Sequence, residues 1–286
     1  MRLTFLGTGT SAGVPCIGCA CEVCTSEDPR DRRTRTSAAL RFTDPAGHDR
    51  TLLLDCGPDL RAQALAARLT RCDGVLFTHN HVDHTFGVDE LRRFNAVMHA
   101  PIDIYAEAHT MTFLRRVYAH IFDKDRNVQD SFVATLLPHV IEPGLPLNLF
   151  GLRVTPLRFL HGRLPIAGYR FDATPELAAK SDSGATTASG PAATHPLLPL
   201  VYATDVNGIP PETWPSLRGL RTLVLGALRH RKHPTHYTLD EAVNAADRID
   251  AAQTYFVHMS HELAHAETQA SLPDRMSLAH DGLEIT

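Results

Sequence analysis

The sequence predicts an α/β protein in which two packed β-sheets are flanked by helices. Three observations lead to this prediction. The chain has 286 residues, 43% of them hydrophobic, so it is long enough to bury a large core. Short apolar runs typical of strands come first, and strands then alternate with helical patterns. The same order returns in the second part of the chain, and we predict a single domain over residues 1–286.

Strand patterns in the first half are short and bounded by turn residues. They predict strands at residues 3–6, 38–42, 51–55, 74–77 and 102–105. Apolar residues with helical spacing predict helices at residues 58–69, at 88–97 and near 110–121. The glycine-rich segment at residues 7–13 lacks the ending of a P-loop and the spacing of a dinucleotide fingerprint. We therefore interpret it as a tight turn.

The second half continues the pattern after an unusual stretch. We predict strands at residues 152–160, 167–171, 201–204, 223–225 and 255–257. Thr238 and Glu241 have the spacing of a capping box, which predicts a helix through about residue 249. Residues 173–199 are rich in Ala, Ser, Thr, Gly and Pro, with almost no large apolar residue before Leu197. This composition predicts a flexible surface insertion within the domain.

Composition excludes some classes of protein. The formal net charge is −4 and the chain has no lysine tract, which argues against broad nucleic-acid binding. No apolar run approaches the ~20 residues that cross a bilayer, so we expect no membrane partner. The N-terminus has no signal-peptide pattern, and we expect a cytoplasmic protein. A homodimer is compatible with the sequence but is not required by it.

The densest group of possible metal ligands directly follows the predicted strand at residues 74–77. Four such side chains fall within six residues: His79, His81, Asp83 and His84. The first two alternate along an extended segment and can point to the same side. The last two lie one turn further on and can reach a second point nearby. Imidazole and carboxylate together suit Zn, Mn or Fe, so we predict a metal site rather than a solvated histidine-rich loop.

Three more single ligands each follow a predicted strand. They are His161, Asp205 and His258. Any one of them alone is more typical of an ordinary loop. Together with the preceding motif they predict that further ligands come from strand ends in the second half of the chain.

Cysteines are concentrated near the N-terminus. Four of the six fall within nine residues: Cys16, Cys19, Cys21 and Cys24. Tight clustering in an intracellular protein indicates metal binding more often than a disulfide framework. Reactive or incidental thiols are the alternative. Cys56 and Cys72 adjoin strand-like runs, and we predict that they are core residues.

The histidine and aspartate pattern resembles the metallo-β-lactamase superfamily, over nearly the whole chain from Gly7 to His258. The resemblance implies an αββα sandwich of two mixed β-sheets flanked by helices. It also implies two divalent metal ions, Mn or Zn, in the active site. In that arrangement the first ion takes His79, His81 and His161, the second takes Asp83, His84 and His258, and Asp205 bridges both. The presence of His84 and Asp205 favours the phosphodiesterase and glyoxalase II-like branches over true β-lactamases.

The cysteine cluster narrows this resemblance. Cys19, Cys21 and Cys24 with His261 are similar to the Cys₃His set of PhnP-type cyclic phosphodiesterases. Such a set is a closed, tetrahedral zinc site, so the resemblance implies one structural zinc ion. Cys16 does not fit this set, and we interpret it as a neighbour of the site.

The PhnP-type resemblance also implies catalytic roles. His236 matches the position of a histidine that protonates the leaving oxygen, and His230 and His233 are neighbouring alternatives. Asp205 would bridge and orient, while Asp83 would hold the second metal ion. The expected reaction is hydrolysis of a small phosphodiester, such as 5-phosphoribosyl 1,2-cyclic phosphate, by a hydroxide held between the metal ions.

Other functions on the same fold stay open. A tRNase Z-type nuclease shares the ligand set, but residues 173–199 lack the basic character expected of its exosite arm. A glyoxalase II-like thioesterase shares the ligands but not the Cys₃His cluster. A PqqB-type relative would bind metal without hydrolysis, against which the intact ligand set argues. Arg32, Arg33 and Arg35 either meet a substrate phosphate or form a solvated charged loop.

Overall fold

The computed structural model describes residues 1–123, 125, 132–181 and 195–286. In these residues the strands are β1 (Arg2–Gly7), β2 (Ser37–Thr43), β3 (Asp49–Leu54), β4 (Gly74–Leu76), β5 (Ile102–Glu107), β6 (Leu136–Ile141), β7 (Leu147–Leu149), β8 (Leu152–His161), β9 (Leu164–Ala173), β10 (Leu200–Ala203), β11 (Thr222–Gly226), β12 (Gln253–Val257), β13 (Met276–Leu278) and β14 (Glu284–Ile285). The helices are α1 (Leu60–Ala66), α2 (Val82–Thr85), α3 (Leu91–Met98), α4 (Ala108–Val117), α5 (Ala119–Phe122), α6 (Pro175–Ser181), α7 (Leu239–Ile249) and α8 (His265–Ser271).

The described strands form two seven-stranded sheets, each with parallel and antiparallel pairs. The first has the order β14-β1-β2-β3-β4-β5-β6, and the second has the order β13-β12-β11-β10-β9-β8-β7. In the first sheet the pairs from β3 to β6 are parallel, and in the second those from β10 to β13 are parallel. The remaining pairs in both sheets are antiparallel. The predicted α/β sandwich of two mixed sheets flanked by helices is therefore confirmed.

Alternating side chains of the central strands produce the layers. Leu52 and Leu54 of β3 point into the core between the two sheets, where Tyr169 and Tyr202 of the other sheet also lie. Leu53, between them in sequence, packs on the opposite face with residues of α1, α3 and α4. Because both faces of the central strands are covered, these strands are almost continuously apolar.

The second sheet repeats this arrangement. Leu200 and Tyr202 of β10 face the inner core, whereas Val201 and Ala203 face outward. The outer layer there includes Ala242 of α7, and several other residues of that helix pack with it. The predicted capping box of α7 is confirmed, since Thr238 Oγ1 accepts from the Glu241 N–H and the Glu241 carboxylate accepts from the Thr238 N–H.

Several differences from the sequence prediction concern short elements. The predicted strands are all present with shifted ends, but β6, β7, β13 and β14 were not predicted. The helix predicted at residues 88–97 begins as a 3₁₀ turn and becomes α-helical at Leu91. The helix predicted near residues 110–121 is divided into α4 and α5.

The predicted insertion at residues 173–199 lies partly outside the described residues. Residues 182–194 are not among them. On one side of this gap α6 forms, and on the other Leu197 and Leu198 are buried in the inner core. Flexibility of the central part stays a prediction. Among the described residues, no helix is long and apolar enough to cross a bilayer.

The inner core makes one stability prediction. Leu52 is fully buried, and truncation leaves a cavity that its neighbours fill only partly. We expect Leu52→Ala to lower the free energy of unfolding by about 2–5 kcal/mol in equilibrium urea denaturation. The control is Leu65→Ala in α1, because Leu65 is 63% exposed. Equal losses for the two variants would contradict the described packing.

Candidate active site

The His79–His84 segment lies where β4 ends. His79 is fully buried, and His81 sits in extended backbone just before α2. Asp83 and His84 belong to the first turn of α2 and are both buried. The short helix turns these two side chains away from the extended part, so one segment supplies ligands to two neighbouring points.

The first group of ligands combines this segment with β8. The ligand atoms of His79, His81 and His161 lie within 4.8 Å of one another. His161 ends β8, and its Nδ1 donates to the Thr235 carbonyl at 2.7 Å. This bond fixes the ring and leaves Nε2 free to bind a metal ion.

The second group contains Asp83, His84, Asp205 and His258, whose ligand atoms also lie within 4.8 Å of one another. His84 Nε2 is 3.2 Å from Asp83 Oδ2, and His258 Nε2 is 3.2 Å from Asp205 Oδ2. Asp205 Oδ2 is in turn 3.8 Å from Nε2 of His79, in the first group. Asp205 therefore lies between the two groups, as a bridging ligand would.

The donor atoms of both groups fit metal ions. Nε2 of His79, of His84 and of His258 is buried and makes no hydrogen bond with any described residue, although carboxylate oxygens lie close to each. Unpaired buried nitrogens facing carboxylates are costly unless a cation lies between them. Imidazole and carboxylate ligands suit Zn and Mn. The residues present therefore fit the divalent metals that the fold implies.

Electrostatics supports the same conclusion. Burial, reinforced by the neighbouring His84, holds the pKa of His79 well below its usual range. Burial opposes protonation of His84 as well, but the charges of Asp205, Asp83 and Asp55 outweigh it and raise the pKa of His84 well above its usual range. The carboxylates around His84 therefore favour positive charge at this point, which a divalent cation would supply.

Asp55 is a site residue that the sequence did not reveal. It follows β3, is fully buried, and accepts from the Thr78 N–H at 2.7 Å and from the Thr78 hydroxyl at 2.8 Å. His84 Nδ1 donates to its second oxygen at 2.8 Å. This carboxylate orients the imidazole so that Nε2 faces the second group. Only its position at the end of the strand predicted at residues 51–55 hinted at this role.

Three site residues share a strained backbone. Asp55, Asp205 and His258 have φ angles of 60°, 60° and 62°. Each follows a strand closely, and left-handed backbone turns the chain sharply there. For non-glycine residues this conformation costs of order 1–3 kcal/mol, which the surrounding structure must offset.

His236 lies beside both groups. Its Nδ1 is 4.0 Å from Asp205 Oδ2, and its ring stacks on His258 with the centroids 4.8 Å apart. Its ligand atom also lies within 4.8 Å of those of His161 and Asp205, so it is placed either as a proton donor or as a further ligand. Burial, followed by the nearby His258, lowers the pKa of His236 to about 3. His233 touches this ring from the other side, with the centroids 5.0 Å apart.

The cysteine cluster forms a separate group. The ligand atoms of Cys19, Cys21, Cys24 and His261 lie within 4.8 Å of one another. His261 Nδ1 is 3.3 Å from the Cys19 sulfur and 3.2 Å from the Cys21 sulfur. A hydrogen bond from the Cys24 backbone, and then His261, lower the pKa of Cys21 to about 6, whereas burial raises that of Cys24 to about 12. Cys16 lies beside the group, and its thiol donates to the Gly13 carbonyl.

The two remaining cysteines and the three arginines are also placed. Cys56 and Cys72 are fully buried in the outer layer of the first sheet. Arg33 is fully buried as well, so it is not available to a substrate. Arg35 is partly exposed and pairs with Asp59. Arg32 is exposed.

Three of the proteins that are similar to this chain are described here. A crystal structure of a new diphosphatase from the PhnP family is 37% identical, covers 100% of this chain and 97% of that one, and has a TM-score of 0.82. An octanoyltransferase of Porphyromonas gingivalis is 36% identical over 99% of this chain and 51% of that protein. Coenzyme PQQ synthesis protein B of Methylobacterium nodulans is 31% identical over 64% of this chain and 59% of that protein. The chain spans little more than half the length of these last two relatives.

Residues 50–259 match the family model of a β-lactamase superfamily domain. The chain belongs to the metallo-β-lactamase superfamily, in agreement with its two-sheet sandwich and with the histidine and aspartate ligands at one edge of that sandwich. Within it the chain is PhnP-like, as its similarity to the diphosphatase structure shows. The resemblance found in the sequence is confirmed, and the fold and this neighbour indicate a metal-dependent hydrolase.

The contact between Asp55 and His84 makes a prediction. Asp55→Asn keeps the shape but removes the charge that orients the imidazole, so we expect metal affinity to fall about 10- to 100-fold. Competition with a chromophoric chelator measures this affinity. The control is Asp103→Asn, because Asp103 pairs with His139 on an exposed part of the first sheet. Unchanged affinity in Asp55→Asn would show that His84 does not depend on this carboxylate.

Proposed function

We propose that the protein is a dinuclear metal-dependent phosphodiesterase that hydrolyses a small phosphodiester. A ribose cyclic phosphate such as 5-phosphoribosyl 1,2-cyclic phosphate is the proposed substrate. The observation that carries this proposal is the meeting of two ligand groups at Asp205, with His236 beside both. The likeness to a PhnP-family diphosphatase supports phosphorus chemistry.

The residues that would hold the metals follow from the two groups. One Mn or Zn ion would take His79, His81 and His161; a second would take Asp83, His84 and His258; Asp205 would be shared. Bound ions supply Lewis acidity toward phosphoryl oxygens and lower the pKa of a water molecule toward about 7. A structural zinc ion would take Cys19, Cys21, Cys24 and His261.

The chain's own groups would orient the reaction. The side chain of His236 is 13% exposed, against 2% for Asp205 beside it, and it would donate a proton to the leaving oxygen. Burial lowers the pKa of His236, so the negative charge of a bound phosphodiester would have to favour its protonated form before donation. Asp205 would fix the spacing of the two ligand groups, and Asp83 would add negative charge at the second group.

The loop before His236 suits an anionic substrate. Arg231 and Lys232 precede the fixed segment that carries His236; they are 75% and 85% exposed while they pair with Glu262 and Glu241. Thr235 in that segment accepts from His161, which holds the loop at the site. Exposed cations at this rim would attract a small phosphate ester from solution.

Acyl thioester hydrolysis is the second candidate. One specific observation favours it: the relative that aligns with 99% of this chain is an octanoyltransferase, although this chain spans only 51% of it. A glyoxalase II-like thioesterase uses the same ligand set. An octanoyl thioester is therefore one of the substrates to be assayed.

Metal content and activity test the proposal together. We expect purified protein to contain about three metal ions per chain, two in the active site and one in the cysteine cluster. We expect Mn- or Zn-dependent hydrolysis of bis(p-nitrophenyl) phosphate and of a ribose cyclic phosphate. His81→Ala removes a ligand of the first group and should reduce both activities to the metal-free level.

The outcomes separate the candidate functions. Hydrolysis of an octanoyl thioester without any phosphodiesterase activity would favour the thioesterase. Full metal loading without turnover of either substrate would favour a non-hydrolytic, PqqB-like role. Two ions per chain, both lost in His81→Ala, would remove the structural zinc from the proposal.

The role of His236 has its own test. Because a p-nitrophenolate leaves without a proton, we expect His236→Ala to lose about 10²- to 10⁴-fold on a ribose cyclic phosphate but under about tenfold on bis(p-nitrophenyl) phosphate. The matched control is His230→Ala, an exposed histidine of the same loop. Loss of a metal ion in His236→Ala would show that His236 is a ligand and not the proton donor.

A further inference from the structure

One short turn serves both metal centres. It follows β12 and carries His258 of the active site and His261 of the cysteine cluster, three residues apart. The Met259 N–H donates to the Thr8 carbonyl, and the Met259 carbonyl accepts from the Thr10 N–H. The Ser260 N–H donates to the Leu228 carbonyl. The backbone of the turn is therefore fixed at several points between its two histidines.

A buried arginine holds the far end of this turn. The side chain of Arg33 has no exposure to solvent. Its Nη1 donates to the Ser260 carbonyl at 2.8 Å, and its Nη2 donates to the Leu263 carbonyl at 2.6 Å. These two carbonyls flank His261 in sequence. Breaking a buried, charge-assisted set of this kind leaves a charge and carbonyls without partners, so the set keeps one geometry.

Asp31, the ion-pair partner of this arginine, connects it to the helix that follows the turn. Arg33 Nη2 also donates to Asp31 Oδ1 at 3.0 Å, and the same oxygen accepts from the His265 N–H at 2.8 Å. His265 begins α8, so the Arg33–Asp31 pair fixes the chain from Ser260 into that helix.

The backbone of Arg33 reaches the cysteine loop. Its N–H and carbonyl both pair with Val14, at 2.8 Å each. Val14 packs with Val23 and Cys24 in a small cluster that also includes the other cysteines of the loop. Arg33 thus contacts both parts of the chain that supply the cysteine centre, and it also sets the turn that supplies His258.

We propose that Arg33 is a positioning residue that couples the two metal centres. The proposal rests on the metal ligation proposed above. Arg33 ties this turn to the cysteine loop, so metal bound by Cys19, Cys21, Cys24 and His261 would reduce the motion that remains in both. His258 would then lose less conformational freedom when the second active-site group binds its ion. Binding at either centre then strengthens binding at the other by the same factor, as thermodynamic reciprocity requires.

Cobalt titration tests the coupling without any activity measurement. Co²⁺ bound to thiolates gives charge-transfer absorption in the near ultraviolet, whereas Co²⁺ bound to imidazole and carboxylate gives only visible bands. Occupancy of the two centres is therefore read separately in the same sample. In the wild-type protein we expect that filling the cysteine centre raises the affinity of the second active-site group, Asp83, His84 and His258, for Co²⁺ by about 5- to 150-fold.

Arg33→Met keeps an unbranched apolar side chain in place of the aliphatic part of arginine and removes the guanidinium with its charge and donors. We expect the coupling to disappear in this variant, while the ion held by His79, His81 and His161 keeps its affinity. Arg33→Lys retains the charge and should restore part of the coupling. The control is Arg30→Met, because Arg30 is 43% exposed and pairs with Asp28.

The outcomes distinguish this proposal from the proposed function. Wild-type protein that binds no Co²⁺ at the histidine and aspartate groups overturns both. Wild-type protein that binds at both centres independently overturns only the coupling, as does Arg33→Met with coupling intact. If Arg33→Met fails to fold, His261→Ala decides the matter: a weaker second active-site ion supports the coupling, and an unchanged one contradicts it.

Discussion

The carboxylates of Asp83 and Asp205 are buried among imidazoles, with Oδ2 of each 3.2 Å from the Nε2 of a histidine. Taking an ionised carboxylate out of water costs several kcal/mol, and two such groups side by side repel each other as well. The arrangement is stable only if positive charge lies among the oxygens. These carboxylates raise the pKa of His84, and divalent metal ions at the same place would supply the positive charge directly.

The rest of the molecule keeps these groups in place. The ligands come from the end of β8 and from the segments after β4, β10 and β12, so strands of both sheets end at the same edge of the sandwich. Asp55, directly after β3, holds the imidazole of His84 in place by accepting a hydrogen bond from its Nδ1. The outer layers of helices cover the sheets, and the sheets in turn limit how far each loop can move. A rigid scaffold of this kind holds ligands at the spacing that two nearby ions need.

The sequence predicted the residues that carry a local signal. Four ligand types within six residues after an apolar strand identify His79 to His84, and the single ligands His161, Asp205 and His258 stand out because each follows a strand. Asp55 also lies at the end of a predicted strand, but its role depends on a contact with a residue 29 positions away, which the sequence does not show. Arg33 was considered for substrate binding, yet its partners at Ser260 and Leu263 are more than 200 positions away. Short edge strands such as β7 and β14 were missed because two or three residues show no periodicity.

The left-handed backbone at Asp55, Asp205 and His258 has a consequence for how such a protein changes under selection. Glycine adopts this conformation without steric cost, so replacing any of the three relieves strain while deleting a group that serves the metals. A polar side chain at each of these positions therefore serves the site at a cost in backbone strain, which its own buried hydrogen bonds and ion pairs have to offset. These are positions where chemistry and the preference of the backbone oppose each other.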